Sequence, residues 1–258
     1  GSVMAGLEET YVLGAAVSGP GREGLDFFPL QMDYREKMTA AGRFPGGFIK
    51  REGRPTTKEI LTCRLSDRPI RPLFPEGYFA DLQVYLTVYS ADTDNDPDVV
   101  AMNAASASLH VSDLPFRGPV GSVRVGLLNG NYVVNPTYSE VEESDLDLII
   151  SGTKDGIIMV EAGSKEISEE EMLGAFDFAI PFINQLIEAQ DKLREMAGKP
   201  KVEATVQAFP QELFEKMKEK FRADLESNFF IKVKQERSKA LSGVKENAVG
   251  EYLKKDEQ

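Results

Sequence analysis

FIKREGRPTTKEILTCRLSDRPIRPLFP, residues 48–75, is the stretch of sequence that decides the fold. Residues 56–68 within it have the residue spacing of a helix, for which Thr57 is the predicted N-cap. The predicted apolar stripe of this helix comprises Ile60, Leu61 and Leu65. Pro69 should end or distort the helix near Arg68, because proline removes a backbone donor and clashes with the preceding turn. The stretch therefore predicts a charged loop leading into a short amphipathic helix.

Positive charge is concentrated around this stretch. The whole chain has 258 residues and a net charge of −12, yet residues 42–71 carry eight cations against three acids. That segment is therefore +5, and the other 228 residues are −17. A basic patch on an acidic body predicts a site for an anion. The alternative is a solvated helix face whose cations pair with acids elsewhere. The eight cations are Arg43, Lys50, Arg51, Arg54, Lys58, Arg64, Arg68 and Arg71.

Strands and helices are mixed along the rest of the chain. Helices are predicted at residues 99–111 and 168–196, the second opening on a capping box of Ser168 and Glu171. Residues 210–258 are charged and helical without any strand pattern. Several strands are joined by hairpin turns, which predicts an α+β fold rather than alternating parallel α/β. The predicted strands are residues 11–18, 28–34, 81–91, 119–128, 132–135, 146–152 and 157–162.

The sequence lacks the residues that several kinds of catalytic, metal and phosphate site require. The one histidine, His110, lies among small residues of a predicted helix and is expected to be packed there. The single cysteine, Cys63, offers no partner for a disulfide or a zinc site and suggests a reducing, cytoplasmic setting. No apolar run is long enough to span a membrane, and no Walker-type phosphate loop is present.

The basic stretch does contain the kinds of side chain that bind single-stranded nucleic acid. Phe48 and Ile49 precede Lys50 and Arg51, so a ring for base stacking lies beside cations for the phosphates. Three arginines follow at helical spacing, which puts their guanidinium groups on one side of the predicted helix. These are Arg64, Arg68 and Arg71. Internal pairing with Glu59, Asp67 and other acids is the structural alternative for the three.

Motifs distributed along the chain carry a family resemblance. In order, they resemble the first ribonuclease-PH-like core domain of the bacterial polynucleotide phosphorylases. The resemblance covers about residues 11–200. Its motifs are DFFPL (26–30), FIKREGRP (48–55), LSDRPIRPLFP (65–75), NDPDVVAM (95–102), PFRGP (115–119), LDLIISGT (146–153) and MVEA (159–162).

The resemblance implies a fold, a domain division and an activity. The fold is α+β, ribonuclease PH-like (ribosomal protein S5 domain 2-like), over residues 3–200, with residues 1 and 2 expected to derive from cloning. Residues 201–258 are similar to the start of the all-helical linker domain, so we expect a piece of a longer protein. The family degrades mRNA from its 3′ end, using inorganic phosphate and releasing nucleoside diphosphates. It works as a homotrimer around a central channel.

The resemblance also assigns roles to individual residues. Phe48–Arg51 matches the channel-constricting Phe-Phe-Arg-Arg motif, with isoleucine and lysine at its second and third positions. Arg54 matches a phosphate-contacting arginine of ribonuclease PH. RNA contacts are thus expected at Phe48, Ile49, Lys50, Arg51, Arg54, Arg64, Arg68 and Arg71.

Catalysis is expected to lie in the second core domain, which also binds Mg²⁺. Where that domain has a phosphate-binding serine loop, this chain has residues 95–100, with two carboxylates and a proline. Asp147 matches one of two catalytic aspartates, but the second is missing. We therefore predict neither catalytic nor metal-binding residues here. The competing hypotheses are a purely structural trimerisation domain and an active phosphorolytic domain in which Asp147 is essential.

Overall fold

The computed structural model describes residues 1–21, 24, 25, 27–48, 50–206 and 210–253. Within them the chain forms eight strands, six α-helices and two short 3₁₀ helices, Met38–Ala41 and Arg71–Leu73. The strands are β1 (Ser2–Leu7), β2 (Thr10–Gly19), β3 (Leu30–Glu36), β4 (Asp81–Ser90), β5 (Gly121–Leu128), β6 (Asn131–Val134), β7 (Leu146–Thr153) and β8 (Gly156–Ser164). The helices are α1 (Thr57–Ile70), α2 (Pro97–Val111), α3 (Tyr138–Glu143), α4 (Glu169–Ala197), α5 (Gln211–Phe229) and α6 (Lys234–Leu253).

The strands form two four-stranded sheets, one of order β1-β2-β4-β3 and one of order β6-β5-β7-β8. The paired strands are antiparallel except for β3 and β4, which run parallel and are connected through α1. A parallel pair needs such a crossover, whereas the antiparallel pairs can be joined by tight turns. The predicted α+β class is confirmed.

Helix α2 lies against the first sheet because its residues are small. Ala101, Ala104 and Ala105 are completely buried. A β-carbon on Gly14 of β2 would come within 2.5 Å of the Ala104 carbonyl oxygen, so glycine permits this close approach. As predicted for the one histidine, His110 of α2 is buried.

Helix α4 covers the second sheet with one apolar face. Its buried residues Ala175, Ala179, Ile183 and Ile187 recur every four positions and join the core formed by β5 and β7. Ser168 accepts a hydrogen bond from the Glu171 amide, and the Glu171 carboxylate accepts one from the Ser168 amide. The predicted capping box is therefore confirmed.

Four aromatic rings join motifs that are distant in sequence. The Phe74 ring lies 4.9 Å from Phe28, 5.7 Å from Tyr78 and 5.5 Å from Phe116, measured between centroids. Phe28, Phe74 and Phe116 come from three of the motifs that carry the family resemblance. Those motifs therefore meet in the core of the first sheet.

One strand was not predicted, and two local predictions about α1 are wrong. Residues 2–7 form β1, and Ser2 begins it, because this segment pairs along its whole length with β2. The N-cap of α1 is Thr56 rather than Thr57, and the helix continues through Pro69 to Ile70. Ile60 and Leu61, predicted to belong to the apolar stripe of α1, are 51% and 58% exposed.

The inward face of α1 has a polar character that explains the misplaced stripe. Glu59 is buried because its carboxylate accepts hydrogen bonds from the backbone amides of Glu36 and Thr56, at 3.0 and 2.6 Å. Leu65 does pack inward, against Met102, Ile149 and Met159. An inward Glu59 turns Ile60 and Leu61 towards solvent.

Two compact units divide the chain, Gly1–Val206 and Gln207–Gln258. The segment after α4 belongs to the first unit, since the Val202 amide donates to the Asp113 carbonyl and Val206 forms an isolated bridge to Tyr78. The predicted boundary at residue 200 thus lies six residues before the division in the structure. The second unit is a pair of helices, α5 and α6, around Phe221, Val244 and Ala248. Residues 254–258 of the predicted helical segment lie outside the described residues.

Candidate nucleic-acid interface

The loop between β3 and α1 presents the predicted channel residues. Phe48 is fully exposed, and Lys50 and Arg51 are exposed beside it. Within the described part of the chain, neither cation has a hydrogen bond or an ion pair. Gly47 has a φ of 68°, a conformation that favours glycine at this turn. Ile49, also predicted to contact RNA, lies outside the described residues.

The base of this loop is tied to the short 3₁₀ helix that follows β3, Met38–Ala41. The Glu52 carboxylate accepts a hydrogen bond from the Met38 amide at 3.1 Å. Glu52 and Glu59 line a cleft of about 390 Å³ together with Arg54 and Arg35. Arg54 is exposed at this cleft. The cleft was not predicted, because its walls come from β3 and from the loop before α1.

The three arginines of α1 have different surroundings. Arg64 is exposed and makes no hydrogen bond or ion pair with any described residue. Arg68 pairs with the carboxylate of Glu161 on β8, and its second terminal nitrogen lies 3.5 Å from the Val160 carbonyl oxygen. The predicted helical spacing is present, but Arg68 already has a carboxylate partner.

Arg71 has every guanidinium nitrogen engaged within the protein. Its Nε and one terminal nitrogen bind the two oxygens of Asp67 at 3.0 and 2.8 Å. The terminal nitrogens also donate to the carbonyl oxygens of Phe28 and Leu30, at 2.9 and 3.1 Å. The guanidinium group lies 5.9 Å from the centre of the Phe28 ring. Arg71 therefore matches the structural alternative, internal pairing with Asp67.

Lys58 is likewise part of an internal network. Its Nζ lies 2.9 Å from Glu36 and 3.1 Å from Asp96, and it donates to the Tyr138 hydroxyl at 3.2 Å. Burial opposes the charge, yet Glu36 and Asp96 raise the pKa of Lys58 above its ordinary value. Lys58 thus pairs with one acid at the end of β3 and one at the N-cap of α2.

The N-terminus of α2 is occupied by carboxylates of the chain itself. Asp96 caps the helix by accepting from the Asp98 amide at 3.2 Å. Asp98 accepts from the Val99 amide at 2.6 Å and from Arg124 at 2.7 Å. Burial and the adjacent Asp96 raise the pKa of Asp98 to about 6, against the opposing effect of Arg124. The place that favours an anion is therefore already filled.

Asp147 faces the same arginine. Its Oδ1 lies 3.5 Å from a terminal nitrogen of Arg124. Among the described residues, no group of three or more His, Cys, Asp or Glu side chains is arranged to hold a metal ion. Asp147 beside a guanidinium group does not fit a divalent cation, since the two positive charges would repel. The Asp98–Arg124 pair had no local sequence signal because 26 residues separate its partners.

Two family models match this chain in consecutive segments. Residues 1–115 match domain 1 of the 3′ exoribonuclease family, and residues 118–180 match domain 2. Together they cover about two thirds of the chain. The chain belongs to the 3′ exoribonuclease family.

Curated members of the 3′ exoribonuclease family agree with the predicted resemblance. The chain is 52% identical over 226 residues to a polyribonucleotide nucleotidyltransferase of Acidobacterium capsulatum, covering 87% of this chain and 28% of the relative. It is 47% identical over 250 residues to the enzyme of that name from Aquifex aeolicus, covering 96% and 32%. The resemblance to polynucleotide phosphorylases is confirmed. The chain spans about a third of the length of these relatives.

The family fold also appears in a solved structure. The rice protein Rrp46 superposes with a TM-score of 0.56 at 14% identity, covering 76% of this chain and 93% of the rice chain. This likeness confirms the ribonuclease PH-like fold. Separately, none of the helices in the described residues is long and apolar enough to cross a membrane.

Proposed function

We propose that this chain is the RNA-guiding half of a phosphorolytic 3′-to-5′ exoribonuclease and does not itself perform the chemistry. In the full enzyme, inorganic phosphate attacks the terminal linkage of single-stranded RNA and releases a nucleoside diphosphate. The observation that carries the guiding role is the exposed loop of Phe48, Lys50 and Arg51. Two exposed cations without a partner among the described residues, beside an exposed ring, suit a phosphate backbone and a stacked base.

The proposed RNA surface comprises five residues. Arg64 belongs to it because its exposed guanidinium group has no partner among the described residues, and Arg54 because it lies exposed in the adjoining cleft. Arg68 and Arg71 are left out, since moving either onto RNA would break contacts to Glu161 or Asp67. The RNA surface is Phe48, Lys50, Arg51, Arg54 and Arg64.

The non-catalytic role rests on the start of α2. Asp96 and Asp98 occupy the helix N-terminus where a phosphate would otherwise bind, and a free phosphate would meet two carboxylates. We therefore assign the phosphate and Mg²⁺ sites of the enzyme to its second core domain. We further propose a homotrimer that surrounds the RNA and acts in the cytoplasm. The confirmed family membership supports both.

A structural role is the second candidate, because part of the arginine set is paired internally. If the domain served as scaffold and trimer interface alone, Lys50 and Arg51 would contribute nothing to RNA binding. The two roles therefore predict different effects of Lys50 and Arg51 on the affinity of the chain for RNA.

Binding of a fluorescent 12-nucleotide oligo(A) to the whole chain separates these candidates. The double variant Lys50→Ala with Arg51→Ala should bind the oligonucleotide more weakly. It should also reduce the magnitude of the slope of log affinity against log salt concentration by about 1.4, since each of the two lost phosphate contacts contributes about 0.7. Lys216→Ala with Lys245→Ala is the matched control, because it removes the same charge from exposed positions on α5 and α6. Equal affinities for the loop variant and the parent at low salt would rule out the guiding role.

The absence of catalysis has its own test. The chain is incubated with oligo(A), Mg²⁺ and phosphate, and nucleoside diphosphates are measured. We expect no release above background. Release that disappears in Asp147→Asn would instead establish an active domain.

A further inference from the structure

The turn between α5 and α6 carries an unusual surface. Phe229 and Phe230 are 64% and 79% exposed, and Val233 is 53% exposed. Lys232 and Lys234 alternate with them and are also exposed. Residues 228–239 hold four cations and one acid, a net charge of +3 in a chain of −12. We call residues 229–234 the hairpin tip.

The hairpin tip has a defined shape. The two phenylalanine rings meet edge to face with centroids 5.8 Å apart. The Ile231 amide donates to the Asn228 carbonyl at 3.3 Å, and Arg237 donates to the Ile231 carbonyl at 3.1 Å. These bonds hold the turn, so its rings and lysines are presented on a fixed backbone.

The hairpin tip repeats the side-chain sequence of the proposed RNA loop. Phe230-Ile231-Lys232 matches Phe48-Ile49-Lys50 residue for residue. Both segments combine an exposed ring with two exposed cations that lack a carboxylate partner in the described part of the chain, Lys50 and Arg51 in the loop and Lys232 and Lys234 in the hairpin tip. We propose that the hairpin tip is a second contact for single-stranded RNA, with a base stacked on Phe230 and phosphates bound by Lys232 and Lys234. This inference rests on the proposed function, in which the chain binds RNA.

Charge favours RNA over an apolar protein partner at this surface. An apolar partner covering the rings would also cover Lys232 and Lys234, and burying an unpaired ammonium group is costly. A nucleic acid satisfies both kinds of side chain at once, because each nucleotide offers a flat base and a charged phosphate. Stacking is tolerant of sequence, so we expect little base preference.

Two variants of the whole chain test the hairpin tip against the 12-nucleotide oligo(A). Phe230→Ala should weaken binding about tenfold, as expected for one lost stacked base, without changing the salt slope. Lys232→Ala with Lys234→Ala should lower the salt slope by about 1.4. Binding of an abasic oligonucleotide of the same length should be weakened by Lys232→Ala with Lys234→Ala. Phe230→Ala should bind it as tightly as the parent chain does, because there is no base to stack. Lys216→Ala with Lys245→Ala is again the matched control.

The outcomes separate this inference from the function on which it rests. Loss of affinity in both tip variants, also seen in the background of Lys50→Ala and Arg51→Ala, supports the hairpin tip as an independent contact. Parent affinity in both tip variants, with weakened binding in the loop variant, overturns the tip and leaves the proposed function standing. A change in sedimentation with Phe230→Ala at unchanged RNA affinity overturns it in favour of a protein contact.

Discussion

At the scale of single residues, Arg64, Arg68 and Arg71 show how neighbouring positions acquire different uses. All three lie on α1 at spacings of four and three residues. Their partners come from different places: none among the described residues for Arg64, β8 for Arg68, and both Asp67 and the Phe28–Leu30 backbone for Arg71. Helical spacing predicts that side chains share a face, but carboxylates and carbonyls from other segments decide whether each is free.

Replacing these arginines should separate stability from binding. Arg71→Ala should lower the free energy of unfolding by about 1 to 2 kcal/mol, because it removes the hydrogen bonds that Arg71 donates to Asp67 and to two carbonyl oxygens. Arg64→Ala should leave stability within about 0.5 kcal/mol and weaken oligo(A) binding. Urea unfolding and RNA titration of the same samples measure both effects. A destabilised Arg64→Ala would contradict its assignment as unpaired.

His110 should make stability depend on pH. Its Nε2 donates to Asp191 at 2.9 Å, while its Nδ1 is buried without a partner in the described structure. Burial lowers the pKa of His110; Asp191 opposes this, and nearby Arg194 adds to it. Below about pH 6.5, His110 of the unfolded chain therefore binds a proton more readily than His110 of the folded chain.

The expected result is a loss of stability as pH falls from about 6.5, through the range between the unfolded and folded pKa values of His110. His110→Gln keeps a donor for Asp191 and should flatten this part of the profile. Urea unfolding at pH 5.0 and 7.5 provides the comparison. An equally steep profile in His110→Gln would assign the acid sensitivity to other groups.

At the scale of elements, periodicity predicts some segments well. The predicted ranges for β4 and α4 are within one residue of those observed, because alternation and a capping box are local properties. Segment β1 has no such signal and exists through its pairing with β2. Likewise, the polar inward face of α1 follows from hydrogen bonds to β3 that no pattern within the helix reveals.

The capping box of α4 offers a prediction at this scale. Ser168→Ala removes the side chain that accepts from the Glu171 amide at 3.2 Å. Loss of such a cap should cost about 1 kcal/mol of unfolding free energy. Ser168→Asp is the control and should retain stability, because its carboxylate can accept the same bond. Chemical denaturation of both variants provides the measurement, and equal stability of Ser168→Ala and the parent would refute the role of this cap.

At the scale of the whole molecule, the chain combines units with separate cores. The sheets and helices of the first unit are built from three hydrophobic clusters, whereas α5 and α6 share one small cluster around Phe221. The family resemblance anticipated the ribonuclease PH-like fold and the helical segment. Predicting which arginines remain free needed the long-range partners that folding supplies.

The small core of the second unit should be easy to disrupt. Phe221→Ala removes about 3 kcal/mol of packing, which a pair of helices with three buried side chains is not expected to tolerate. Amide hydrogen exchange should then lose protection in α5 and α6 and keep it in β4 and α4. Leu225→Ala, at a 44% exposed position of α5, is the matched control. Retained protection in α5 of Phe221→Ala would contradict a separate core.

The acids at the start of α2 have a consequence for any attempt to give this domain a phosphate site. The Asp98 carboxylate and Arg124 belong to the same chain. The effective concentration of this carboxylate beside Arg124 therefore does not fall when the solution is diluted. A dissolved anion has to displace it at every encounter. Replacing Asp98 by serine still leaves Asp147 near Arg124 and Asp96 at the helix cap. Opening the site would thus require several coordinated substitutions, because three separate carboxylates compete with a dissolved anion there.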